Sequence, residues 1–253
     1  MKALILAAGY ATRLYPLTKD YPKSLLKIRN RPLINYIVDK LEDARDIDEI
    51  VVVTNSKFIA LFRSWARGLK LSKPLTLVDD LTKSDKDKRG AIADMSYAIR
   101  KKHIKDDLLV IGGDNLFNDP LDDFISFIKN NAGYPCIGAY NIRDKAKATK
   151  YGVVELNRKN RVVGFQEKPL KPKSSLVAMC LYYFPKDKLR LLGEYLKKVN
   201  KRDATGFYIN WLRRKETVLG FVFDGLWFDI GHYNFYNEAK KKFKKKERSN
   251  RHA

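Results

Sequence analysis

Arg13 closes a glycine-bearing turn, Gly9-Tyr10-Ala11-Thr12-Arg13, and Lys23 follows ten positions later, just after Pro22, in this 253-residue chain. Before the turn, residues 3–8 form a short apolar run closed by Gly9, and such a run reads as a buried parallel strand. A strand ending in small residues presents backbone N–H groups at the C-terminal edge of a sheet. Oriented N–H groups there make an anion nest, at the edge where open α/β sheets bind ligands. Arg13 and Lys23 would add fixed positive charge for phosphate oxygens. On this reading Leu6, Ala8, Gly9, Ala11, Thr12 and Arg13 form a polyphosphate cradle. The turn alone is also compatible with a plain strand-to-loop connection bearing a surface arginine, since it is neither G-x-G-x-x-G nor G-x-x-x-x-G-K-[ST].

A second candidate is Gly112-Gly113-Asp114-Asn115, which follows the apolar run 108–111. A carboxylate at the tip of a parallel strand points to the ligand edge and can hold Mg²⁺, which takes one or two carboxylates plus phosphate oxygens. The competing reading is a Gly-Asp turn that caps the next element. Asp229, in Trp227-Phe228-Asp229-Ile230-Gly231, reads by itself as a helix N-cap before His232. Glu167 and Lys168, in Gln166-Glu167-Lys168-Pro169, read by themselves as a surface ion pair. His103, His232 and His252 have neither metal spacing nor a Ser or Cys partner.

Taken together these segments resemble the sugar-phosphate nucleotidylyltransferases. LAAGYATRLYPLT followed by YPKSLLKI is similar to that family's L-x-x-G-x-G-T-R-L-x-P-x-T and P-K, and G-D-N, Y-G-V-V, E-K-P and W-x-D-x-G follow in family order, over residues 3–231. The resemblance implies an α/β, three-layer, mostly parallel mixed sheet with a Rossmann-like nucleotidyltransferase (GT-A-like) fold. It implies that NTP plus sugar-1-phosphate gives NDP-sugar plus pyrophosphate. Arg13, Lys23 and Lys168 become the catalytic cations, and Asp114 and Asp229 the ligands of Mg²⁺. Gly113 joins the nucleotide contacts, and Tyr151, Gly152, Glu167, Lys168 and Tyr182 the sugar-phosphate contacts. Gly152 is expected to let backbone approach the sugar.

Two departures stand out. Ala11 replaces the family's second glycine, which costs strain if that position needs φ > 0. Gly90-Ala91-Ile92-Ala93-Asp94 stands where the family has G-T-A-x-A against the base, and Asp94 is acidic. Asp79 or Asp80 stands near the glutamine of pyrimidine-selective members. The base is therefore left open.

To position these residues, the pattern predicts helices over 31–44, 57–69, 90–102, 121–129, 186–199 and 203–214. Strands are predicted over 50–54, 75–78, 108–111, 134–140, 176–184 and 218–223, with a hairpin of 151–156 and 161–166 and a loop over 79–89. Strand–helix alternation with short connections marks a largely parallel sheet wrapped by helices. The expected organisation is one domain over 1–231, with a nucleotide lobe to about 115 and a sugar-phosphate lobe beyond it. Residues 232–253 would form a C-terminal helix and basic tail.

Composition limits the partners. The chain is 45% hydrophobic, with net charge +22 from 51 Lys and Arg against 29 Asp and Glu. Such a balance suits anionic partners. Residues 240–251 alone carry +7, so the tail is expected to stay solvated and contact anionic surfaces. Cys136 and Cys180 lack C-x-x-C spacing, the expectation for free thiols in a reducing, cytoplasmic setting. Residues 1–8 are too short for a signal peptide and suit a first strand, and no apolar run approaches the roughly 20 residues of a membrane span. A homo-oligomer stays open. Two alternatives differ in class: a cytidylyltransferase for another phosphorylated molecule such as phosphocholine, and a non-catalytic nucleotide- or nucleic-acid-binding module. Tyr151-Gly152 and Glu167-Lys168 argue for a sugar. The retained Arg, Lys and Asp positions, without an RNA-binding fingerprint, argue for an enzyme.

Overall fold

The computed structural model describes residues 1–243. The N-terminal part contains β1 (Lys2–Leu6), β2 (Lys27–Ile28), β3 (Arg31–Pro32), α1 (Leu33–Asp43), β4 (Glu49–Thr54), α2 (Ile59–Arg67), β5 (Leu75–Asp79), α3 (Ala91–Lys101) and β6 (Leu108–Gly112). Next come β7 (Asn115–Phe117), α4 (Asp122–Asn130), β8 (Cys136–Asn141), α5 (Lys145–Ala148), β9 (Gly152–Leu156) and β10 (Val162–Glu167). The chain continues with β11 (Leu176–Phe184), α6 (Arg190–Lys198), α7 (Thr205–Leu212), β12 (Leu219–Phe223), β13 (Trp227–Asp229) and α8 (Tyr233–Lys242).

Nine strands form one mixed sheet in the order β10-β9-β11-β6-β1-β4-β5, with β8 beside β11 and β12 beside β8. β1 runs parallel to β4 and β6, and β11 is antiparallel to β6, so the sheet passes without a break from the first half of the chain to the second. Alternation along the central strands divides the core. Ala3 and Ile5 pack with Ile34, Phe62 and Phe124 of α1, α2 and α4, whereas Leu4 packs with Ile92, Leu192 and Tyr208 of α3, α6 and α7. Both sheet faces are covered by helices, hence the continuous apolar runs and the three layers.

The register positions the site. Leu6 pairs with Gly112 and with Val53, so β1 and β6 end level with each other, and the Gly9 turn emerges beside Asp114. A third apolar cluster fixes the connections there: Leu14, Ile28, Leu33, Tyr36, Leu116, Ile230, Ala239 and Phe243.

Two differences from the sequence reading have physical causes. The first helix begins at Leu33 because Arg31 and Pro32 pair with Lys27 and Ile28. The helix assigned beyond the domain boundary at 231 is anchored in the core. Ala239 and Phe243 are buried, and the Tyr236 hydroxyl donates to the Lys27 carbonyl at 2.9 Å. The remainder of the basic tail, 244–253, lies outside the described residues. Among the described residues no helix is long and apolar enough to cross a membrane.

Candidate active site

The turn after β1 is held from below. Asn55 Nδ2 donates to the Ala8 carbonyl at 2.9 Å, and Thr54 Oγ1 to that of Ala7 at 3.3 Å. Ala11 adopts φ 50, ψ 42, the left-handed conformation in which alanine is strained. Its carbonyl accepts from the Thr18 hydroxyl at 2.8 Å and from the Leu14 amide at 2.9 Å, and Leu14 is fully buried. Gly9 faces open space, with no heavy atom within 4 Å of where a Cβ would lie. Exposed Thr12 and Arg13 follow, and Arg13 has no ion pair among the described residues.

Lys23 opens a short helical turn whose Ser24 is buried under Gly113. A Cβ at Gly113 would lie 2.7 Å from Ser24 Oγ and 2.9 Å from the Leu6 carbonyl oxygen, so only glycine fits. This contact carries Asp114 to the Lys23 ammonium, with Nζ to Oδ2 at 2.5 Å. β13 then brings in Asp229 from far along the chain. It pairs with Asn115 of β7, and the Ile230 amide donates to the Asp114 carbonyl at 3.1 Å. Trp227 Nε1 donates to Asn115 Oδ1 at 2.6 Å, and its ring packs on Tyr151 at 5.3 Å. α8 starts at Tyr233 with His232 as N-cap, so Asp229 is not the helix cap. Burial and the facing Asp114 push the Asp229 carboxyl up to about 7. Burial opposes the Lys23 charge, yet Asp114 and Asp229 hold its pKa above the ordinary value.

Among the described residues no three His, Cys, Asp or Glu side chains converge on a metal-sized point. Asp114 and Asp229 do face each other, with the Lys23 ammonium on Asp114 and the cleft in front. That donor set suits a hard divalent cation that takes its remaining oxygens from phosphates.

A cleft of about 410 Å³ collects the predicted residues Leu6, Ala8, Gly9, Ala11, Thr12 and Arg13 with Lys23 and Asp114. Gly90, Asp94, Lys168 and Asp229 complete its predicted lining. Gly113 lies just behind, against Ser24.

The expected sugar contacts need correction. Tyr182 is a core residue, 2% exposed, with its hydroxyl 2.7 Å from Thr205 Oγ1. The bulge in β11 between Ala178 and Tyr182 instead turns Cys180, at φ 53, into the cleft. Packing alone requires glycine at 152, because a Cβ there would lie 2.6 Å from the Phe165 ring. Glu167 lies against Gly206 of α7, and burial raises its pKa. Tyr151 is buried on Trp227. Of this group Lys168 alone lines the cleft; its backbone is left-handed at φ 46, and its amide donates to the Tyr151 carbonyl at 3.0 Å.

The expected base contacts divide similarly. Asp79 Oδ1 accepts from Ser56 Oγ at 2.7 Å and from the Leu81 amide at 2.8 Å, which assigns it to shaping the loop. Asp80 is 1% exposed and lies behind the wall. Gly90 and Asp94 line the cleft.

Residues 2–246 match the profile of the nucleotidyl transferase family. The chain belongs to the nucleotidyl transferase family. It is 29% identical over 233 residues to the bifunctional protein GlmU of Methanocaldococcus jannaschii, covering 91% of this chain and 51% of that one. It is 27% identical to the bifunctional protein GlmU of Methanococcus aeolicus, with the same coverage. The chain thus spans about half the length of the curated relatives it matches. Its fold is similar to that of a Bacillus anthracis protein described as a glucose-1-phosphate thymidylyltransferase, solved with sucrose (TM-score 0.79, 23% identity, covering 95% of this chain and 94% of that one). It is also similar to UDP-glucose pyrophosphorylase solved with UDP-glucose (TM-score 0.78, 21% identity, covering 95% and 97%).

In this nucleotidyl transferase chain, Ser24, Lys88, Cys180 and Asp203 also line the cleft, and sequence reasoning passed over them. Lys88 had a signal, as a cation two residues before Gly90. Cys180 had none, because only the bulge gives its direction. Asp203 reaches the site from the segment before α7, which no local pattern ties to Gly90.

Proposed function

We propose that this chain transfers a nucleotidyl group from an NTP to a sugar-1-phosphate, giving NDP-sugar and releasing pyrophosphate. The observation that carries the reading is the convergence of the open Gly9 turn, Arg13, Lys23, Asp114, Asp229 and Lys168 in one cleft. The names of the similar structures, a glucose-1-phosphate thymidylyltransferase and UDP-glucose pyrophosphorylase, support the sugar-phosphate acceptor.

A phosphate monoester has a second pKa near 6, so the attacking oxygen is anionic at neutral pH and needs no general base. The work left to the protein is alignment and charge neutralisation for an in-line displacement at the α-phosphorus. The turn from Ala8 to Thr12 would hold the triphosphate, and Arg13 would take the β- and γ-oxygens and the departing pyrophosphate. Lys23 would sit at the α-phosphate, and Lys168 would hold the acceptor phosphate. Asp114 and Asp229 would hold Mg²⁺, which when bound supplies charge neutralisation at the phosphate oxygens. The nucleotide side comprises residues up to about 115 and the acceptor side those up to about 231. A cytoplasmic setting suits phosphorylated substrates and two free thiols.

Pyrophosphate release by Asp114→Asn, Asp229→Asn and the double variant tests the site. Each single variant should lose most turnover while staying folded, and the double should lose little more, because the two carboxylates act as one unit. Losses that add fully in log rate would assign them separate roles.

A further inference from the structure

A second hollow, of about 600 Å³, adjoins the cleft, and the transfer reaction leaves it without a role. Lys88 and Asp203 line both cavities. Four cations, Lys88, Arg89, Lys201 and Arg202, stand in the hollow against two carboxylates, Asp87 and Asp203. Asp87 is saturated by its own loop: its carboxylate accepts from the Lys83 amide at 2.9 Å, the Ser84 amide at 2.7 Å and the Ser84 hydroxyl at 2.6 Å. Arg89 is pinned in place. Its Nε donates to the Asp80 carbonyl at 2.5 Å, and its guanidinium lies over the Tyr97 ring at 4.5 Å. Lys201 Nζ lies over the Phe207 ring at 4.6 Å. Lys88 pairs with Asp85 at 3.2 Å, whereas Arg89, Lys201 and Arg202 have no ion pair among the described residues.

Like charges gathered on a concave wall repel one another and focus a positive field into the hollow. A volume of this order suits a small organic ligand better than a lone ion. A phosphate monoester carries about −1.5 to −2 charge at neutral pH and three acceptor oxygens, which guanidinium forks meet bidentately. The hollow is also tied to the cleft. The Arg202 carbonyl accepts from the Ile92 amide at 3.1 Å. Gly90, at φ 87, fits beneath that carbonyl: a Cβ there would lie 2.7 Å from it and 2.6 Å from Asp203 Oδ1. The segment that carries Lys201 and Arg202 thus braces Gly90 and Ala91, which line the cleft. Lys88 is common to both cavities, so an anion that holds it in the hollow withdraws its charge from the cleft.

We propose that this hollow binds a small organic phosphate monoester other than the substrates, and that its occupancy weakens NTP binding in the cleft. The two anions compete for Lys88 and repel each other across the wall that Lys88 and Asp203 form. By linkage, bound NTP weakens the monoester by the same factor. The binding site stands on the hollow alone; the coupling rests on the reading of the cleft as the NTP site.

The test uses calorimetry on the full chain with Mg²⁺ and without acceptor. Glucose-6-phosphate is the probe, because it carries a phosphate monoester but no anomeric phosphate to receive a nucleotidyl group. It should bind with a Kd below about 1 mM, and glucose should not bind. Lys201→Ala combined with Arg202→Ala should weaken the probe at least about tenfold, the loss expected of charge-assisted contacts, while NTP binding and turnover without the probe stay unchanged. At saturating probe the NTP Kd should rise at least about fivefold and then level off, the low end of ordinary coupling between sites. Lys88→Ala should bring that factor close to one. No probe binding, equal probe binding by the double variant, or an NTP Kd that the probe does not move would each overturn the inference and leave nucleotidyl transfer standing. An NTP Kd that climbs without levelling off would place the probe in the cleft and overturn it as well. Failure of every NTP to bind would overturn the transfer reading and the coupling, while the probe and the double variant would still decide the second site.

Discussion

Asp94→Asn should raise the thermal stability of the free protein, and by more as the pH rises. Asp94 has an ordinary pKa of 3.8 and is held at about 8 in the native state by burial and by Asp80. Between those values the native state keeps a proton that the unfolded chain has released. Stability therefore falls as pH rises, and the loss is complete above the native pKa. Each pH unit in this window costs about 1.4 kcal/mol, so the three units from about pH 5 to about pH 8 cost about 4 kcal/mol. Asparagine has nothing to titrate there. At about 2–4 °C per kcal/mol for a chain of this length, the Tm advantage of Asp94→Asn should widen by roughly 8–15 °C across those three units. Circular dichroism melts of both proteins without nucleotide, at several pH values, measure it. A Tm difference that stays flat with pH would refute a buried, protonated Asp94.

Lys168→Ala removes a charge-assisted contact worth about 1.5–3 kcal/mol. Acceptor KM should rise while NTP affinity, followed by calorimetry, stays near the wild-type value; equal losses for both would assign Lys168 to both ligands. Phe243 is 2% exposed and packs edge-on to Tyr36 at 5.2 Å, so Phe243→Ala should cost about 3 kcal/mol in chemical denaturation. Truncation after Phe243 should leave turnover near wild type and weaken adsorption to anionic surfaces, whereas truncation after Lys240 removes a core side chain and should lower Tm.

The parallel half of the sheet was legible because strands covered on both faces are apolar throughout, as in the run 50–54. That Gly9, Arg13 and Asp114 share one cleft was legible for a related reason: they follow strand ends that the register brings together. The strain expected of Ala11 appears as its left-handed backbone. Tyr182, which the family resemblance set at the sugar, is core instead, and the bulge at Cys180 that breaks the period of two along β11 was not legible in the sequence. The packing need for Gly152 was not legible because the Phe165 ring that fills its side-chain space comes from the neighbouring strand. The Asp80–Asp94 contact was hidden because it joins the end of β5 to the first turn of α3 across the intervening loop. α8 was separated from the core because its charged residues mask the two side chains, Ala239 and Phe243, that anchor it.

Product formation is the most direct test of the proposed chemistry. The full chain is incubated with Mg²⁺, each of five NTPs and a panel of hexose-1-phosphates, and products are identified by mass spectrometry alongside pyrophosphate release. The account predicts an NDP-sugar and pyrophosphate in equal amounts, with Arg13→Ala strongly impaired. Formation of no NDP-sugar from any pair, or nucleotidyl transfer only to an acceptor that is not a sugar phosphate, would contradict it.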